Sequence, residues 1–305
     1  PVPGLINHSS TPEGANRGEA LLAAEKLGAA TEHTEEGWWI PTMILPMPKA
    51  SNFHETHQAA FDVGRPWSVC VNRNGVRFVD EACGYDQFGQ GMIRDHKATG
   101  ANLPCWHVFD TKFRRKFSSG GLMPLAHTPE RKIPKDWWGH YVFRDNTIEG
   151  LARQINVPAE ALQETIRRNN EYAKTGIDPE FGKGMNIYDQ FFGDPTVSPN
   201  PNLGPIDTAP YYAVPINAGD LGTKGGLRTD ERARVLRDGS RQEIEARLLV
   251  PGDVLLINYS AVCGQHLNNM VLYMPVHWQG ELVALLGPKA ANQKHLRCYQ
   301  LWQYR

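Results

Sequence analysis

The stretch GDLGTKGGLRTDERARVLRDGS, residues 219–240, limits what this chain can fold into more than any other. Gly219, Gly222, Gly225 and Gly226 fall within eight residues. Positions without a Cβ accept sharp turns and let a backbone lie close against a flat neighbour. The stretch predicts a glycine-shaped loop running into a hairpin, with arms at 227–229 and 233–236 and a turn at 238–239. After residue 240 the pattern changes character.

At 305 residues the chain is long enough for one large domain or two ordinary ones, with a sizeable core. Its 32 basic and 33 acidic residues leave a net charge of -1. That balance gives no footprint for nucleic acid or an anionic membrane and suits a neutral substrate. The cysteines (Cys70, Cys83, Cys105, Cys263 and Cys298) contain no CxxC pair. They read as isolated thiols in a reducing compartment, which implies a cytoplasmic location. His54 and His57 form a bare HxxH, and His266 and His277 stand alone, so no metal site is expected. No apolar run approaches membrane-spanning length.

Along the chain, residues 14–30 predict a short helix with small residues suited to packing on a sheet. Residues 35–48 are apolar but broken by prolines, hence extended. Residues 68–71 and 76–79 predict a hairpin about Asn74 and Gly75, followed by a helix from Tyr85. Residues 101–113 give a strand with the aromatic pair Trp106 and Phe109. The clearest helical signal spans 147–175, with Thr147 as a cap, Pro158 in a first turn and Gly176 as a stop. Residues 177–212 are rich in aromatics and prolines and read as irregular.

VNRNGVRFVDEACGYDQFGQGM (71–92), taken with the stretch 219–240, resembles the fumarate reductase/succinate dehydrogenase-like flavoproteins. Within them it looks most like the 3-ketosteroid Δ1-dehydrogenases. The likeness runs from about residue 3 to residue 240 and includes YDQFFGDPTVSPNPNLGPIDTAPYYAV and the tryptophan pair Trp38 and Trp39. It implies an α+β fold: a partial Rossmann-like FAD domain (1–45, with a return at 213–240) and an inserted catalytic cap (46–212). FAD would be the cofactor, beside Gly222, Thr223, Gly225, Gly226 and Glu81. A small hydrophobic, steroid-like ketone would be the substrate, against Trp38, Trp39 and Phe88.

One spacing discriminates within the superfamily. Fumarate reductases of this kind place an arginine–aspartate pair after the glutamate, whereas here Tyr85 and Asp86 follow Glu81. The resemblance makes Tyr85 the base that removes a proton beside the carbonyl while a hydride leaves for the flavin. A phenol titrates near 10, so such a base needs surroundings that favour phenolate. The structural alternatives are a loop shaped only by its turns and a tyrosine that merely packs.

This sequence departs from the pattern at Asp80, where asparagine is usual. The strand–helix GxGxxG unit for the ADP half of FAD and a C-terminal YPGPG-type segment are not seen. The resemblance therefore implies an incomplete enzyme, with a partner chain to supply those segments. Residues 241–305 resemble a fragment of the hydantoinase B/oxoprolinase family, a short β-rich tail with strands at 253–258, 270–276 and 281–286. That tail opens an alternative reading as a ketone carboxylase-type subunit or a non-catalytic remnant.

Overall fold

The computed structural model describes residues 18–46, 55–237, 240–241, 254–258 and 271–275. They fall into two compact units, one built from residues 37–222 and one from residues 18–36 with those after 222. In chain order the smaller unit opens with α1 (Glu19–Lys26) and β1 (Thr31–Glu32). The larger unit follows with β2 (Gly37–Leu45), β3 (Glu55–Gln58), β4 (Ser68–Val71), α2 (Tyr85–Thr99), β5 (Cys105–Phe109) and α3 (Thr111–Lys116). It continues through β6 (Phe143–Asp145), α4 (Ile148–Gln154), α5 (Ala159–Thr175), α6 (Ile187–Phe191) and β7 (Tyr211–Thr223).

The larger unit is built on a sheet in the order β3-β2-β7-β5-β4, with β6 also paired to β7; β2 with β3, β4 with β5, and β7 with both β5 and β6 run antiparallel. Side chains alternate across β4 and β5, because successive Cβ atoms point to opposite faces of a strand. Cys70, Cys105 and Phe109 join Phe88 and Met92 of α2 in one core cluster. Val69, Val71, Trp106 and Val108 join Leu151 of α4 and Leu162 and Ile166 of α5 in the other. Trp106 and Phe109 thus serve opposite faces instead of forming a pair. The 147–175 signal folds as expected: Thr147 Oγ1 accepts from Gly150 N–H at 3.0 Å, and Gly176 ends α5 in the left-handed region at φ 76°.

Three local expectations change. The loop expected at 219–226 is strand as far as Thr223, since β7 carries on to that residue. The hairpin at 68–79 is only half formed. Its turn exists, with Asn72 N–H donating to Val76 O at 3.0 Å, but β4 pairs with β5 and residues 76–79 leave the ladder. The compact units part at residues 36 and 222 and not near 45 and 213, since β2 and β7 are neighbours in one sheet.

In the smaller unit β1 pairs antiparallel with β8 (Gly226–Leu227), and β9 (Leu236–Arg237) pairs with β10 (Ser240–Arg241). None of the α1 residues is buried, so that helix does not pack closely on a sheet as expected. In the tail, β11 (Val254–Asn258) pairs antiparallel with β12 (Val271–Pro275); the strand expected at 281–286 lies outside the described residues. No described helix is long and apolar enough to cross a membrane.

Candidate active site

A buried ion cluster fixes the segment that leads into α2. Arg77 donates through Nε to Glu81 Oε1 and through a terminal nitrogen to Glu81 Oε2, both at 2.8 Å. The same terminal nitrogen reaches Asp178 Oδ2 at 2.8 Å. Lys183 Nζ lies 3.5 Å from Glu81 Oε2 and donates to Ser68 O at 3.1 Å. Cys70 N–H donates to Glu81 Oε1 at 3.1 Å. Burial opposes charge on Glu81, but Arg77 and Lys183 outweigh it and hold the carboxyl down at about 2. Both oxygens expected to serve the cofactor are engaged by protein donors.

The helix that follows is held by its partner strand. Trp39 N–H donates to Asp86 Oδ1 at 3.0 Å, and a Cβ on Gly89 would stand 2.5 Å from Trp39 Cβ. Only glycine allows the helix backbone so near β2. This contact turns Phe88, Met92 and Ile93 into the core and leaves Tyr85 half-buried at the start of the helix.

Tyr85 faces an open cleft of about 890 Å³. One wall comes from Val79 to Gln90 with Arg94, and the other from Phe181, Asn186, Tyr188 and Asp189. The ion cluster ties the two walls together, because Asp178 and Lys183 stand at the root of the second. Burial pushes the Tyr188 phenol up, helped by Cys83, Tyr85 and Asp189, so Tyr188 stays a neutral donor. Burial also raises Asp80 to about 7, with Asp189 and Glu81 adding to the effect against the hydrogen bond from Ala82 N–H. Asp189 is fully buried and its Oδ1 has no hydrogen-bond partner among the described residues.

Several expected site residues stand elsewhere. Phe88 is 0% exposed and packs edge-on against Phe78 with centroids 5.7 Å apart, so it is a core residue and not a substrate contact. Helix geometry explains this: Phe88 and Met92, four residues apart, share the face of α2 that is buried. Trp38 and Trp39 are half-buried on β2 and do not line the cleft. His57 is held by Asp62, its Nε2 2.6 Å from Oδ2.

What lies against Gly225 is protein. A Cβ there would stand 2.0 Å from His33 O, and the neighbouring Lys224 N–H donates to Glu36 O at 3.1 Å. Gly222 and Gly226 differ, since among the described residues a Cβ at either would meet nothing within 4 Å. Gly222 also adopts φ 148°, a region kept almost to glycine. Bare backbone at these two positions fits close approach by a flat ring; Gly225 is already filled. Arg77, Asp178 and Lys183 escaped sequence reading because Arg77 and Asp178 are 101 residues apart. The Arg77–Glu81 spacing is helical, but the segment is not.

The FAD binding domain family matches residues 2–245 of this chain. The chain belongs to that family. Its cofactor is FAD. The chain is 40% identical over 234 residues to the 3-oxosteroid 1-dehydrogenase of Mycolicibacterium smegmatis, covering 73% of this chain and 38% of that one. It is 36% identical over 224 residues to the 4-oxocyclohexanecarboxylate 2-dehydrogenase of Sinomonas cyclohexanicum, covering 72% of this chain and 37% of that one. The 3-ketosteroid Δ1-dehydrogenase of Sterolibacterium denitrificans, solved with 1,4-androstadiene-3,17-dione, is similar at a TM-score of 0.72 and 41% identity. That likeness covers 79% of this chain and 42% of the other. The chain therefore spans about two fifths of the length of the relatives it matches.

The resemblance drawn from residues 71–92 and 219–240 is thus the family found. The hydantoinase B likeness of residues 241–305 falls almost wholly beyond the family match, which ends at residue 245. That alternative finds no support here.

Proposed function

We propose that this chain carries the substrate-binding part of an FAD-dependent dehydrogenase that desaturates a ring ketone of the 3-oxosteroid type beside its carbonyl. The observation that supports the proposal is Tyr85: it opens α2, lines the cleft, and stands four residues after Glu81, the spacing at which the family resemblance implies the base. In this reading residues 46–212 form the substrate cap.

A carbonyl acidifies the hydrogens on its α-carbon, and Tyr85 removes one of them as a proton. The amino end of α2 stabilises negative charge developing near it by about 0.3–1 kcal/mol. Tyr188 remains protonated and can donate to a polar group in the cleft. Phe181 and Tyr188 offer aromatic faces to an apolar ring system. The chemistry that bound FAD would supply is an acceptor for the hydride leaving the β-carbon. Gly222 and Gly226 would line the cofactor with bare backbone, beside Thr223, and Glu81 keeps the Tyr85 segment in place through Arg77 and Lys183.

The test is desaturation of 4-androstene-3,17-dione by the FAD-loaded chain with an artificial electron acceptor, followed as the 1,4-dien-3-one product. Tyr85→Phe keeps the ring and its packing and should abolish product formation, with binding of the steroid close to that of the parent. Turnover by the Phe variant within a few-fold of its parent would make Tyr85 a packing residue.

A further inference from the structure

Phe181 lines the cleft from the loop between α5 and α6. Its ring is 37% exposed, and one face of it is already taken. The Arg77 guanidinium carbon lies over that face, 5.0 Å from the ring centroid. Arg77 is buried, and its Nη1 has no hydrogen-bond partner among the described residues. A guanidinium held out of water attracts an aromatic face more strongly than one in solvent. The ring is therefore clamped from behind, and what remains of it is turned to the cleft.

The backbone that carries the ring is fixed as well. Asp178 Oδ1 accepts from Glu180 N–H at 3.0 Å and from Phe181 N–H at 3.4 Å. Asp178 Oδ2 accepts from Lys183 N–H at 3.2 Å and from Arg77 Nη2 at 2.8 Å. One buried carboxylate thus closes the loop and fastens it to the arginine behind the ring. Arg77 also donates twice to Glu81, four residues before Tyr85. The ring, its loop and the segment leading into α2 all meet at one guanidinium.

We propose that Phe181 is a specificity-determining residue of the cleft and Arg77 its positioning residue, the clamped ring favouring rigid ring ketones over flexible open-chain ketones. This deepens the ring-ketone reading and rests on it. A wall fixed before the ligand arrives gives up little freedom on binding, and a rigid ring system gives up little of its own. An open chain must freeze several torsions to lie on the same surface, and that cost cancels much of the contact. A leucine in place of Phe181 would keep an apolar surface but offer the guanidinium no face to hold.

The test is equilibrium dialysis of the full chain against 4-androstene-3,17-dione and the open-chain 2-undecanone. Phe181→Leu should weaken the steroid about five-fold and 2-undecanone by no more than about two-fold. Phe181→Trp keeps an aromatic face for Arg77 and should hold the steroid within about two-fold of the parent. Arg77→Lys keeps the charge but loses the planar fork, and should weaken the steroid in the parent yet add nothing in the Phe181→Leu background. Phe181 is exposed enough for its own variants to fold, so they decide the matter even where Arg77→Lys does not. Equal weakening of both ketones by Phe181→Leu, or of neither, overturns the proposal and leaves the ring-ketone reading standing. The same loss through Arg77→Lys in both backgrounds overturns the positioning role. Failure of the parent to bind the steroid removes the ring-ketone reading and this inference with it.

Discussion

Trp39 N–H donates to Asp86 Oδ1 at 3.0 Å, so the strand residue holds the helix beside the tyrosine assigned as base. Asp86 Oδ2 also accepts from Gln90 at 2.9 Å. Replacing Asp86 by Ala removes both and loses a first-turn carboxylate from the positive end of α2. Asp86→Ala should cost about 1–2 kcal/mol in chemical denaturation. Asp86→Asn, which can still accept from Trp39, should recover most of that loss. Equal stability of the Ala variant and the parent would show that the hydrogen bond does not anchor the helix.

Glu81 makes the larger unit sensitive to acid. Its folded carboxyl titrates at about 2, below the ordinary glutamate, so the native state binds fewer protons than the unfolded chain in that interval. The stabilisation is complete above the unfolded value and fades as pH falls through about 2. His107 works in the same direction. Burial drives it down to about 3, so the unfolded chain takes up its proton first as pH falls. Glu81→Gln, which leaves Arg77 and Lys183 short of a partner, should cost about 3 kcal/mol at pH 7, and much less near pH 2. Acid titrations followed by circular dichroism check both.

Asp80 carries the opposite sign. Its folded carboxyl is raised to about 7, so the native state binds more protons than the unfolded chain between the ordinary aspartate value and neutrality. Rising pH across that interval therefore costs stability, and the penalty is constant above it. Asp80→Asn removes the titration while keeping an acceptor for Ala82 N–H. The variant should melt a few degrees above the parent at pH 8, with the gap closing towards pH 4. A gap that widens in acid would reverse the assignment.

Gly225→Ala tests whether that glycine answers to the protein. The new methyl would press on His33 O and the start of Thr34, both backbone, where no rotamer can relieve the contact. The pairing of β1 with β8 should loosen, giving faster amide exchange at Arg228, whose N–H donates to Ala30 O at 2.7 Å beside it. Gly226→Ala, which has open space around its Cβ, should leave that exchange close to the parent's. Equal effects from the two would remove the distinction between a filled and an open glycine.

What the sequence determined by itself was local or motif-borne. Thr147 and Gly176 bracket the helix pair because a cap and a left-handed stop act within a few residues. The 71–92 and 219–240 stretches pointed to the right family for the same reason: their information lies in order and spacing. The fate of β-rich runs was less legible, because 76–79 and β4 compete for partners that only the whole sheet supplies. Tertiary structure decided the rest. Tyr85 and Phe88 share one helix, yet the approach of Trp39 to Gly89 sends Phe88 into the core and leaves Tyr85 at the cleft. Glu81 looked like a ligand for the cofactor, yet its oxygens meet Arg77 and Lys183, and Arg77 in turn meets Asp178 from 101 residues away. Charges buried together must pair, and which charges meet is set by how the chain closes, which no local pattern records.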